Sequence, residues 1–141
     1  MSYLAKALNA DCLEIYKDTE SICTADPKII CEAKRLEEIG YNQMIDIAKT
    51  GAKVLAPKSI KFAKNNNITI VVKSTKNPNI QTIISRKEYK GNIPLISCTI
   101  KKFSSRVDIV SVIKNRNYAG KTNVKSVMED VVHHYKINDY L

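Results

Sequence analysis

The chain has no apolar run approaching the roughly 18 residues that a membrane-crossing helix needs, which excludes a spanning helix. The first ten residues, MSYLAKALNA, lack the charged-then-apolar layout of a secretory signal, so the expected location is the cytoplasm. Its four cysteines, at 12, 23, 31 and 98, contain no CxxC pair and do not group with the adjacent His133 and His134. Structural zinc and a disulfide framework are therefore not expected, and the cysteines read as buried thiols in a reducing compartment. No Ser-His-Asp, Cys-His or paired-carboxylate arrangement emerges from spacing, so no catalytic residue and no metal ligand is assigned. Arginine is scarce, with four against 19 lysines, and the second half has neither an RNP-like aromatic pattern nor zinc-finger spacing.

What is present is the composition of a globular protein. At 141 residues, 44% hydrophobic and 26% charged, the chain can bury one core with a small appendage. Its net charge of +9 is uneven: residues 1–70 hold 10 basic and 9 acidic side chains, residues 71–141 hold 13 and 5. A nucleic-acid surface is one reading of that excess. The joint heavy use of lysine, isoleucine and asparagine points instead to a compositional bias, and nucleic acid is not expected as a partner.

The chain is organised around 41–72. Tyr41, Met44, Ile45 and Ala48 recur at spacings of three and four and predict a helix with one apolar face, stopped at Gly51. A short apolar piece carrying Lys53 follows, and Pro57 suits the first turn of a second helix over 58–64. Asparagines 65–67 turn the chain into a strand over 68–72. Before this stretch the pattern predicts a helix at 3–8, a strand at 12–16, a polar loop around Pro27 and a charged helical or turn-like segment over 32–38. After it come a loop at 74–81, strands at 82–85, 93–100 and 107–113, and a closing helix with Val124, Val127, Met128, Val131 and Val132 on one face. His133 and His134 at its end suit a helix C-terminus. A boundary is expected near Tyr89 to Asn92, dividing the chain into 1–89 and 90–141. Asp18 closes the first strand, where a carboxylate of an α/β sheet faces the ligand crevice; it could equally open the turn 18–21. Lys53, between two helices, is a candidate contact for a phosphate or a nucleotide edge.

Three stretches in order resemble aspartokinase, the enzyme of the amino-acid-kinase superfamily that phosphorylates the side-chain carboxylate of aspartate with ATP. They are LEIYKDTESICTADPKII (13–30), EAKRLEEIGYNQMIDIAKTGAKVLAPKSIKFA (32–63), and ITIVVKST with QTIIS (68–85). The resemblance implies an α/β fold: the C-terminal, nucleotide-binding half of a three-layer αβα amino-acid-kinase domain. It also implies nucleotide contacts at Lys17, Asp18, Cys23, Lys28, Lys53 and Val54. Asp18, Lys53 and Val54 match the family's motifs as they stand. Lys17 replaces a threonine, Cys23 a tyrosine and Lys28 an arginine. Lysine keeps the charge of arginine without its planar fork, and cysteine removes an aromatic body from beside the nucleotide.

The glycine-rich motifs that carry the family's catalytic lysine and half of its phosphate cradle are not in the sequence. The expectation is an aspartokinase-like fragment or split subunit that is not active alone, binding ATP with Mg if functional and paired with a separate N-terminal kinase half or with itself. Beyond residue 90 the strand, strand, helix pattern resembles the start of a regulatory ACT domain, too short to complete one. A non-catalytic nucleotide-binding or regulatory module acting through subunit pairing is the alternative.

Overall fold

The computed structural model describes residues 1–19, 21–25, 33–49, 55–91, 95–100 and 107–113. Lys28, Lys53, Val54, the Gly51 helix stop, the closing helix and the two histidines lie outside them. The chain divides into two compact units, one of Met1–Cys23 with Arg35–Tyr89 and one of Thr24–Lys34 with Lys90–Leu141.

The first unit is a four-stranded mixed sheet with helices. Its elements are α1 (Ser2–Ala7), β1 (Cys12–Lys17), β2 (Glu38–Gly40), α2 (Tyr41–Lys49), α3 (Pro57–Asn65), β3 (Thr69–Ser74) and β4 (Gln81–Ser85). The strand order is β1-β3-β4-β2. β1 runs parallel to β3 with Leu13 beside Ile70 and Ile15 beside Val72. β3 and β4 are antiparallel, with Ile70 opposite Ile84 and Val72 opposite Thr82, and β2 joins β4 in parallel. That register puts Ile70, Val72, Thr82 and Ile84 on one face, and all four are fully buried. The opposite face, with Thr69, Val71, Gln81 and Ile83, is half-buried, and on β1 it exposes Cys12, Glu14 and Tyr16.

α1 and α2 both pack on α3, while α2 also meets β2 and β4 and α3 meets β3. Their inward residues are Ala5, Tyr41, Met44, Ile47, Ile60 and Ala63. Pro57 opens α3, where its missing N–H has no partner to lose, and Asn67 leaves the helix at a φ of 55°, the left-handed backbone that asparagine tolerates.

Three expectations change. Cys12, read as a buried thiol, is exposed on β1, where its position alternates outward with Glu14 and Tyr16, and Cys23 is only half-buried. The segment 32–38, read as helical or turn-like, is extended where it is described: Arg35 bridges Cys23, and Glu38 begins β2. Leu36 and Ile39 are buried there, and three residues of strand give too short an alternation to be told from a turn. The apolar arc of α2 is also rotated. Gln43 and Ile47 are buried, while Ile45 and Ala48 are half-buried.

In the second unit β5 (Leu95–Ile100) and β6 (Val107–Ile113) form an antiparallel pair with a register shift at Ser97/Cys98. Among the described residues no helix is long and apolar enough to cross a membrane.

Candidate functional site

Because β1 and β3 are parallel and β4 returns antiparallel, the end of β1, the end of β3 and the start of β4 share one edge of the sheet. Two loops leave from that edge. The first, after β1, carries Asp18, Ser21 and Cys23. The second, 75–80, is bound to the end of β1, from which the first loop leaves: Thr75 N–H donates to the Lys17 carbonyl at 2.7 Å. The second loop is closed by its own bonds, from Ile80 N–H to the Asn77 carbonyl at 2.9 Å and from Asn79 N–H to Asn77 Oδ1 at 3.1 Å.

Among the sequence-predicted residues, Lys17, Asp18 and Cys23 can be placed. Lys17 is the last residue of β1 and half-buried, and Asp18 is exposed immediately beyond it. Asp18 thus stands at the C-terminal end of a parallel strand, where ligands of α/β sheets bind. The backbone bends at Asp18 and Thr19. Cys23 is a half-buried thiol, and its backbone pairs with that of Arg35. The flanking bonds run from Leu36 N–H to the Ile22 carbonyl at 2.8 Å and from Thr24 N–H to the Lys34 carbonyl at 2.8 Å. The loop therefore folds back on the chain as a short antiparallel ribbon.

The sheet anchors this ribbon through Thr82, which the sequence reading had not marked. Its hydroxyl lies 2.6 Å from Ser21 Oγ and 2.6 Å from the Leu36 carbonyl, and it receives the Ile22 N–H at 3.2 Å. Ser21 and Thr82 are separated by 61 positions, so no local spacing could have connected them.

The electrostatics near this edge are set on the exposed face of β1. Lys73 Nζ is 2.6 Å from Glu14 Oε1, the Tyr16 hydroxyl donates to Glu14 Oε2 at 3.1 Å, and the ammonium stands 5.9 Å from the Tyr16 ring centre. The bond from Lys73 holds the Glu14 carboxyl below its ordinary value, and the same bond raises Lys73. No group of three or more His, Cys, Asp or Glu able to hold a metal occurs among the described residues. Chemically, the edge offers a lysine and a carboxylate on a backbone whose position is fixed from the sheet below.

Comparison with known proteins gives a consistent result. The sequence profile of the amino acid kinase family matches residues 1–74. The aspartokinase of Rickettsia prowazekii is 39% identical over 114 residues, covering 75% of this chain and 25% of that protein. The aspartokinase of Thermus thermophilus is 42% identical over 81 residues, covering 57% of this chain and 20% of that one. Among solved structures, E. coli aspartokinase III in complex with aspartate and ADP is similar with a TM-score of 0.58 and 33% identity, over 67% of this chain and 21% of that one. The chain spans a quarter or less of the length of these relatives.

Proposed function

The chain belongs to the amino acid kinase family, and from that premise we propose that it is an aspartokinase-like subunit whose residues 1–89 form the nucleotide-binding half of a kinase domain. The reaction it would serve is transfer of phosphate from ATP to the side-chain carboxylate of L-aspartate, giving 4-phospho-L-aspartate on the route to lysine, threonine and methionine. The observation that carries this reading is the 33% identity to an aspartokinase solved with aspartate and ADP, over 67% of this chain.

In this reading Lys17, Lys28 and Lys53 are the cations available to the nucleotide phosphates, and Asp18, Cys23 and Val54 complete the pocket wall. The residue types suit a polyanion: three lysines are point charges that hold phosphate without fixing its orientation. Phosphoryl transfer depends on positioning and charge neutralisation rather than covalent chemistry by the protein. A surface that supplies nucleotide contacts but no catalytic lysine binds ATP, with the Mg that accompanies it, and turns over little alone. A separate N-terminal kinase half would supply the aspartate site. Homo-oligomers are the other pairing.

A second reading, a nucleotide-binding or regulatory module without catalysis, is favoured by one feature: β5 and β6 form a ladder in the second compact unit, with Thr24–Lys34, which suits an ACT-like pairing element.

Titration of the purified chain with Mg-ATP tests the nucleotide role. Binding is expected in the micromolar to millimolar range, with Lys53→Ala weakening it about tenfold, the loss of one charge-assisted hydrogen bond. No heat at millimolar Mg-ATP, together with an unchanged result for Lys53→Ala, sinks it. Aspartyl phosphate formed on adding an N-terminal kinase half supports the split-subunit form; binding without turnover in that mixture supports the regulatory one.

A further inference from the structure

Thr82 is the second residue of β4 and wholly buried, and its one hydroxyl faces four polar groups. The Leu36 carbonyl and Ser21 Oγ are each at 2.6 Å, the Ile22 amide at 3.2 Å and the Ile22 carbonyl at 3.4 Å. A hydroxyl has a single proton. The Ile22 carbonyl already accepts from Leu36 N–H at 2.8 Å, so the Thr82 proton goes to the nearer Leu36 carbonyl. The oxygen is then left to accept from the Ile22 amide, and Ser21 must be the donor in its short contact with Thr82. One buried oxygen thus completes the bonding of both strands of the ribbon.

The point of attachment is also the strained one. Ser21 has a φ of 59°, in the left-handed region that a non-glycine residue occupies at a cost. Serine at that backbone is kept there by what its hydroxyl and the next amide meet, and both meet Thr82. Cys23 follows Ile22 directly and Asp18 lies three residues before Ser21, so the pin sits inside the loop that follows β1.

We infer that Thr82 is a positioning residue: its hydroxyl, through Ser21 and Ile22, sets the conformation of the loop after β1 and thereby the nucleotide contacts of Asp18 and Cys23. The binding consequence rests on the nucleotide reading above; the loop consequence does not.

The test uses the 141-residue chain with Thr82→Val, Thr82→Ser and Ser21→Gly. Amide hydrogen exchange is followed in the peptide spanning 18–25, and ADP with Mg is titrated calorimetrically. Thr82→Val removes the acceptor, so Ile22 exchange should quicken at least tenfold and ADP affinity should fall about tenfold, the scale of one buried hydrogen bond. Thr82→Ser should restore both, which a loss of packing alone would not do. Ser21→Gly keeps the left-handed backbone accessible while deleting the donor, so it should weaken ADP with the Ile22 amide still protected. If Thr82→Val does not fold, Ser21→Gly decides: unaltered ADP affinity in it overturns the inference. Faster exchange in Thr82→Val with unchanged ADP affinity also overturns it and leaves the nucleotide reading standing. If the parent chain binds no ADP, the nucleotide reading fails and exchange decides the loop: unaltered exchange in Thr82→Val ends the inference, and quickening reversed by Thr82→Ser upholds the positioning role.

Discussion

Tyr41 shows how much one hydroxyl can hold in a unit this small. The side chain is 4% exposed, and its O–H donates at 2.6 Å to the carbonyl of Ile68, in the turn from α3 to β3. Phenylalanine would fill the same space and leave that carbonyl without its donor. Tyr41→Phe should therefore cost about 1–3 kcal/mol, read from urea unfolding, the usual penalty for an orphaned buried acceptor. Burial raises the Tyr41 pKa, with the Arg86 charge opposing the shift. The sign follows: the contribution is full below the unfolded value and is lost as the pH rises through the raised native one. Tyr41→Phe should flatten the alkaline limb of the stability profile. Ser2 gives the opposite case. Its hydroxyl is buried and has no partner among the described residues, so Ser2→Ala should leave stability unchanged or raise it by up to about 1 kcal/mol. A thermal melt that falls by several degrees would show that the hydroxyl is bonded after all.

At the scale of elements, the helices were legible and their rotation was not. Spacing alone locates α2, because Tyr41 and Met44 lie one turn apart and both are buried. It does not foresee Gln43 in the core. Gln43 Oε1 accepts from Gly40 N–H at 3.0 Å and from Tyr89 N–H at 2.8 Å, and its Nε2 donates to the Tyr89 carbonyl at 3.2 Å. The amide behaves as one more peptide group, joining the start of α2 to the chain beyond β4, and this turns the helix toward Ile47. Its bond to Gly40 is local, but the Tyr89 partner that holds it in the core lies 46 positions away and carries no local signal. Gly40 is part of the same junction, since a Cβ there would stand 2.9 Å from Glu88 Cγ and 3.2 Å from Glu88 Cα. Gly40→Ala should force the segment around Glu88 outward and cost about 1–3 kcal/mol, the range for overpacking. β2 escaped notice for a related reason. It is three residues long, and what makes it a strand is β4, whose pairing residues come 45 positions later, Glu38 beside Ile83.

The pairing of β1 with β3 supplies an element-scale test with a pH sign. Glu14 is lowered chiefly by its bond from Lys73, so its contribution is present above the unfolded carboxylate value and is lost as the pH falls through the lowered native one. Lys73 is raised by the same bond, so its share is present below its unfolded value and lost as the pH climbs through the native one. Both groups are at the surface, where such a pair contributes little in total. Lys73→Met should accordingly leave neutral stability nearly unchanged while making the loss below the ordinary carboxylate value of 4.5 shallower, measured as denaturant midpoints across a pH series. An acid limb identical to the parent would mean that the pair does not persist in solution.

For the whole molecule, the sheet of the first unit is the informative object. Buried positions on one face were foreseeable from the apolar content of 68–72 and 82–85. The anchoring of the loop by Thr82 required strand order, which no stretch of sequence encodes by itself. The same strand order leaves β1 at an edge of the described sheet, with Tyr16 51% exposed. α1 adds Tyr3 and Leu4, and its flanking caps Met1 and Leu8, each more than half exposed. An unpaired edge beside a run of exposed large apolar side chains is a template for association, and proteins of this size seldom leave one uncovered. The chain on its own should therefore oligomerise or be poorly soluble, with apparent mass in light scattering rising with concentration. Salt separates the causes. Association through apolar surface persists or strengthens as salt is raised, whereas association of the basic second half with stray polyanions dissolves. A monomer at every concentration, melting in one cooperative step, would mean that the β1 edge and α1 are stable in water as they stand.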